Sequence, residues 1–502
     1  MVYIKTLKGQ NMLIPQNICD LIPEDHICYL VESFVELLDY NEFDKYYSGA
    51  GNPAYHPRIF LKILIMGLLD RIRSSRRLEK STNENIVYIY LSERTNPNFR
   101  TINNFRKTNS KLIKNTFKKI VEFIKSESLL DLSKIFIDGT KEKANASNKN
   151  VMTKEELEIV KKFVETSLEE WEKQDNIEDN EFGKLRGFDQ LPKNSKNKIK
   201  NTIRNYIEKS KQKGEDFKAE LEIKLDNAKK ELDEKSLEKV SLTDLESRFM
   251  LNKKGKIELS YNPQITTDMN GFIVANEVVQ DANDINQLIP QIEKTEENVG
   301  ILESGTCICA DAGYDSATNL RELKNRGLDG YIPNKEMSKK TKEEHKKKVD
   351  NYDYDKTTDQ IILPDKIKLN FHRYFICKKT GKKLLEYKSE DGKVKKTVPE
   401  FFEERLEMKE KMKTDNGRLM NRLRGQTVEP RFGDIKENKG MRSFLTRSCE
   451  TAGNEFNLIC TAVNLRRFYS RLRNRAKDTG EDFINIFRNV MKRLVLSNVS
   501  VV

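Results

Sequence analysis

Cysteine, histidine and long apolar runs are all scarce in this chain, and each shortage excludes a class of protein. The seven cysteines among 502 residues are odd in number and scattered, so they do not make the disulfide framework of a secreted domain. Cys307 and Cys309 are the one close pair; at i, i+2 in a strand both would face the same apolar side and pack as small hydrophobes. The four histidines, His26, His56, His345 and His372, show no ligand spacing, so no zinc site is expected. The longest apolar run, "IFLKILIMGLL" at 59–69, has 11 residues and is interrupted by Lys62, against the roughly 20 that a membrane helix needs. The N-terminal "MVYIKTLKGQNMLIPQ" lacks the order of a secretory signal, and a cytoplasmic protein with no membrane partner is expected. Acids are also in deficit, 79 against 91 basic residues, for a formal charge of +12. Such a surplus points to a polyanionic partner, nucleic acid first.

What is present divides the chain by texture. Its length and 37% hydrophobic content suffice for two or three folded units. Residues 1–130 read as helical, and "IFLKILIMGLLDRIRSSRRLEKS" sets apolar positions at helical spacing ahead of a basic face of Arg71, Arg73, Arg76, Arg77 and Lys80. At 134–147, "KIFIDGTKEKANAS" changes period: Ile135 to Ile137 run into Asp138 and Gly139, a strand ending in an acid. From 150 to 250 the chain is densely charged, with Leu157, Val160, Val164, Leu168 and Trp171, then Leu221, Leu225, Ala228 and Leu232, at intervals of three and four. These predict paired amphipathic helices, an inserted hairpin with no catalytic group. "ELSYNPQITTDMNGFIVANEVVQD" (258–281) reads as two strands around Asn270-Gly271. A helix, the strand "CICADAGYDS" ending in Asp311, a helix stopped by Gly327 and the strand "LDGYIPN" follow. Asp315 is expected to cap the helix that comes next. Residues 336–417 read as a Lys-rich, irregular insert, and helix resumes near 416. Late in the chain "RRFYSRLRNRAK" (466–477) sets six basic residues, Arg471, Arg473 and Arg475 among them, beside Phe468 and Tyr469, a second candidate nucleic-acid surface.

This order of elements resembles the ribonuclease H-like core of the DDE transposases encoded by bacterial insertion sequences. "YHPRIFLKILIMGLLDRIRSSRRLEKSTNENIVYIYL" and "PNFRTINNFRK" resemble that family's N-terminal helical domain; "FIDGTKEKANAS" and "ADAGYDS" resemble the segments with its first and second catalytic Asp, and "VEPRFGDIKENKGMRSFLTR" the segment with its catalytic Glu. "YNPQITTD" and "NEFNLICTAVNLRRF" resemble its second strand and its closing helix. The resemblance implies an α/β fold: a mixed sheet flanked by helices in a catalytic domain at 131–502, interrupted by the inserts at 150–250 and 336–417, behind an all-helical DNA-binding domain at 1–130. It further implies Asp138, Asp311 and Glu429 as a triad holding two Mg²⁺ or Mn²⁺ ions. Such ions suit phosphodiester cleavage because they activate the nucleophile and stabilise the leaving oxygen, and hard cations take oxygen ligands. The implied substrates are double-stranded DNA, both terminal inverted repeats and target, handled by a homodimer at the nucleoid. The family's signature of Tyr, Arg, Glu and Lys is partly kept: Glu429 and Lys436 have its spacing, but Gly425 and Arg422 occupy the Arg and Tyr positions. Arg424 or Arg422 is the candidate substitute, and Lys436 the expected grip on DNA. Relatives often carry a cysteine-rich stretch before the glutamate, where this chain has only Cys377. The implied function is cleavage and joining of insertion-sequence ends; a nuclease on the same core, or a domesticated DNA-binding protein, are the alternatives.

Overall fold

The computed structural model describes residues 17–499 except 42, 44–53, 175–176, 253–254, 335–351, 379–380 and 382. The chain packs as two compact units, one comprising the chain up to Ile124 with Glu437–Gly440 and Leu458–Val502, the other Lys125–Lys436 and Met441–Asn457. No helix among the described residues is long and apolar enough to cross a membrane.

The first unit is helical. Its helix Pro57–Leu69 starts on the His56 imidazole, which accepts the Arg58 N–H at 3.2 Å, and carries proline in its first turn. Almost every residue of it is buried, Lys62 at 1% exposure included. The ammonium is tolerated because it meets Glu36 at 2.6 Å, Glu93 at 3.2 Å and Glu32 at 3.5 Å. The basic helical face expected over 71–80 is split: helix stops at Asp70, Arg71 takes φ +62°, and a new helix runs Ser75–Glu84. Gly67 lies beneath this reversal, where a Cβ would stand 2.6 Å from Leu78 and 2.7 Å from the Ile72 carbonyl. Residues 458–499 pack in this unit. Phe468 meets Phe123 at 5.0 Å between ring centroids, and the Tyr469 hydroxyl donates to the Asp25 carbonyl at 2.7 Å.

The second unit is built on the strands β1 (Lys134–Gly139), β2 (Glu142–Lys143), β3 (Val151–Thr153), β4 (Lys239–Ser241), β5 (Arg248–Leu251), β6 (Ile257–Thr267), β7 (Ile273–Val279), β8 (Cys307–Ala310) and β9 (Asp329–Tyr331). All but β3 and β4 form one mixed sheet. In it β7 and β6 are antiparallel, as are β6 and β1, whereas β1, β8 and β9 run parallel. Ile135 to Ile137 in the centre are fully buried, as an apolar strand with neighbours on both sides demands. The chain order is strand, insert, hairpin, helix, strand, helix, strand, as its punctuation predicts, with Gly271 at φ +74° in the β6–β7 turn.

Both inserts carry more structure than their composition suggests. Helix Glu215–Glu234 buries Leu221, Leu225, Ala228 and Leu232 as expected, but the helix joined to it through Gly214 is Lys193–Lys213, which the apolar spacing over 157–171 and 221–232 did not predict. Helices Lys154–Thr166 and Leu168–Glu172 pack into the same core through Val160, Phe163 and Trp171, and the ribbon β3–β4 closes it. The Lys-rich stretch is not irregular. Beyond 336–351, which lie outside the described residues, it holds a five-stranded antiparallel sheet of β10 (Asp353–Asp355), β11 (Gln360–Ile362), β12 (Lys368–Ile376), β13 (Lys383–Lys388) and β14 (Lys395–Pro399). Tyr352, Ile361, Leu369, Tyr387, Val398 and Phe402 form its small core.

Candidate active site

Asp138 and Asp311 are delivered by neighbouring parallel strands. Ile137 of β1 lies opposite Ala310 of β8, so the two acids follow at one level, at the carboxyl ends where open α/β sheets place their sites. Asp138 is 6% exposed, and its Oδ1 accepts the Gly139 N–H at 2.9 Å. Asp311 caps the short 3-10 turn Ala312–Tyr314 by accepting the Gly313 N–H at 2.8 Å. Burial pushes the Asp311 carboxyl above the ordinary aspartate range; the Gly313 N–H and Arg424 oppose that shift, and Asp284 adds to it. Asp315 does not cap the next helix. Ser316 does, accepting the Asn319 N–H at 3.1 Å, while Asp315 is buried against Arg405, whose Nη2 approaches to 2.7 Å. The serine hydroxyl is the better-placed cap, and Asp315 ties this turn to the helix Phe402–Lys413.

The third acid arrives on the late helices. Helix Asp415–Thr427 packs on β1, β8 and β9 and carries Arg424, while Arg422 is exposed. The Arg424 guanidinium stands 3.9 Å from Asp138 Oδ2 and 3.4 Å from Glu429 Oε1. After Val428 a short helix Glu429–Gly433 starts with Pro430 in its first turn, and a π-helical turn Asp434–Asn438 follows. Such turns break the seven-residue register that would put Glu429 and Lys436 on one α-helical face. Lys436 nevertheless reaches the site, donating to Thr140 Oγ1 at 2.8 Å and pairing with Glu142 at 2.6 Å, just past Asp138.

The donor set suits a hard divalent cation, because it consists of carboxylate oxygens alone. A positive group already stands among them: Arg424 touches Asp138 and Glu429 and acts electrostatically on Asp311, and its Nε is buried without a hydrogen-bond partner. Among the described residues no three acidic, histidine or cysteine side chains sit at metal-ligating spacing; Glu429 is 58% exposed, and the Arg424 guanidinium stands near both it and Asp138. Asp138, Asp311 and Glu429 thus fit the cation class by chemistry, with Arg424 as the resident counter-charge.

Several neighbours escaped the sequence reading. Asp284, in the loop before helix Leu288–Val299, accepts from Lys141 at 2.9 Å, Asn262 at 2.7 Å and Gln264 at 2.9 Å. Gln264 in turn accepts the hydroxyl of the fully buried Tyr314. The available signal was "YNPQITTD": Asn262, Gln264 and Thr266 share one face of a buried strand, where amides must find polar partners.

Apart from Arg424 and Lys436, which belong to the second unit, the expected DNA contacts lie in the first unit. Arg71, Arg76 and Arg77 are exposed, with Arg76 over the Phe99 ring at 4.9 Å. Arg73 instead donates to the Gly440 carbonyl at 2.7 Å, a structural tie. On helix Cys449–Thr479, Arg471, Arg473 and Arg475 are all exposed, and Arg473 pairs with Asp25 at 2.8 Å and lies over Tyr469. Phe468 and Tyr469 are buried in helix packing and do not present faces for base stacking.

Comparison with known families matches residues 16–108 to a transposase domain (DUF772) and residues 368–469 to a transposase DDE domain. The second match contains Glu429 and Lys436, and the sheet bearing Asp138 and Asp311 precedes it. No curated protein matches the chain. The mixed sheet is accordingly a ribonuclease H-like core, and the chain belongs to the DDE transposases of insertion sequences, enzymes that act on DNA.

Proposed function

We propose that this transposase cuts DNA at the ends of its own element and joins those ends to target DNA, with Asp138, Asp311 and Glu429 holding two Mg²⁺ or Mn²⁺ ions. The observation that carries the reading is the convergence of two strand-end acids and Glu429 on one positive group, Arg424. Two such ions supply an activated attacking oxygen and a stabilised leaving oxygen in an in-line displacement. Asp138 and Asp311 keep their carboxylates fixed because each grows from a sheet strand and is held by a backbone N–H of its own turn. Lys436, beside Thr140, offers an ammonium to a phosphate next to the acids. Arg424 balances the acids and is a second contact for DNA. The helices of residues 1–130 form the DNA-binding domain. Two element ends require two active sites, so the acting species is a homodimer on DNA.

Asp138→Ala or Asp311→Ala should abolish Mg²⁺-dependent nicking of an element end while leaving DNA binding and melting temperature nearly unchanged. The lost transition-state stabilisation amounts to several kcal/mol. Retained nicking in either variant sinks the assignment, and cleavage without joined products in the parent chain would identify a nuclease instead.

A further inference from the structure

Asp284 stands between the two acid-bearing turns. Its Oδ1 accepts from Lys141, Asn262 and Gln264, and its Oδ2 accepts from Lys141 at 3.2 Å. Gly139, immediately after Asp138, leaves no room for a side chain: a Cβ there would lie 2.2 Å from Gln264 Nε2 and 2.9 Å from Asp284 Oδ1. Gly313, two residues after Asp311, is filled from the other side, where a Cβ would meet Asp311 Oδ1 at 2.8 Å and Asp284 Oδ2 at 3.2 Å. One carboxylate therefore faces the turn after Asp138 with one oxygen and the turn after Asp311 with the other. Gln264 extends the link, since it donates to Asp284, is paired in register with Gly139, and accepts from Tyr314 in the second turn. Two buried strand amides and a lysine spent on one aspartate are a costly arrangement unless that aspartate is itself needed in place.

We infer that Asp284 is a positioning residue: it fixes the separation and aim of the Asp138 and Asp311 carboxylates by clamping both of their turns, without itself holding a metal ion. The inference rests on the proposed two-metal reading. Groups that orient metal-binding side chains typically change affinity or activity by roughly 10- to 100-fold when removed. Asp284→Ala should weaken Mn²⁺ binding by roughly that factor, measured calorimetrically on the full chain without DNA, with the number of ions bound unchanged. On an element-end duplex it should lower kcat and leave KM alone. Asp284→Asn keeps an acceptor oxygen for Asn262 and Gln264 while losing the ion pair with Lys141, and should recover most of both losses. Asp138→Asn is the control that tests the underlying reading. Unchanged Mn²⁺ affinity in Asp284→Ala, with only the melting temperature lowered, overturns the inference, and so does loss of one bound ion in both Asp284 variants. If Asp138→Asn binds Mn²⁺ as the parent does, the two-metal reading itself fails and takes this inference with it.

Discussion

A carboxylate directly before a proline is a poor site for a continuous helix, and Glu429 sits there. The chain responds by ending one helix at Thr427 and starting a short one at Glu429, which leaves the side chain open to solvent beside Arg424. Residue 425, the position where the family resemblance implies an arginine, is also beside it: a Cβ on Gly425 would stand 3.7 Å from Glu429 Oε1. In this chain the guanidinium comes from the preceding position, so Arg424 rather than Arg422 meets the acids. Spacing could name Glu429 and Lys436, but the π-helical turn that carries Lys436 to Thr140 depends on tertiary packing and has no local signature. The residue-level test compares Glu429→Gln with Glu437→Gln at matched DNA occupancy. Mg²⁺-dependent cleavage should be lost in the first and kept in the second; the reverse pattern would reassign the third ligand. Lys436→Ala should weaken binding of an element end and leave Mn²⁺ affinity in place.

At the level of elements, legibility followed how cleanly burial tracked sequence period. β1 and β8 are short apolar runs ending in an acid, and the insert's last helix buries Leu221, Leu225, Ala228 and Leu232 at intervals of three and four, so both could be read directly. The sheet β10–β14 could not. In β12, "KLNFHRYFI", Tyr374 and Ile376 are 64% and 66% exposed, so apolar residues do not mark the buried face. The small core under that sheet recruits Tyr352 and Phe402 from outside the strands, which no local period reveals. The insert at 150–250 offers a test of separability. Leu225 is fully buried in its own core, so Leu225→Ala should cost about 2–5 kcal/mol of that core's stability. Cleavage at a temperature where the variant remains folded should match the parent. A kcat loss without any change in melting would place the insert in the catalytic step.

For the whole molecule, the surplus of +12 is the property that composition exposes most directly and locates least. The two basic segments, 71–80 and 466–477, are remote in sequence yet belong to the same compact unit. Within them the arginines differ. Arg73 donates to the Gly440 carbonyl and Arg473 pairs with Asp25, and Arg71, Arg76, Arg77, Arg471 and Arg475 are exposed. A contact that neutralises a phosphate releases counterions and contributes roughly 0.9 to the slope of log affinity against log salt. Replacing Arg471 and Arg475 with Glu, and leaving Arg473 to its structural pair, should therefore weaken DNA binding and flatten that slope by roughly 1.8. Because neither side chain is buried, the melting temperature should stay within the range of surface substitutions. The measurement is binding of a fixed duplex over a series of salt concentrations, with the parent and Arg473→Gln alongside. An unchanged slope in the double variant would remove the 466–477 segment from the DNA interface and shift the electrostatic footprint to Arg71, Arg76 and Arg77. A lower melting temperature in Arg473→Gln alone would confirm that this arginine belongs to the fold rather than to the interface.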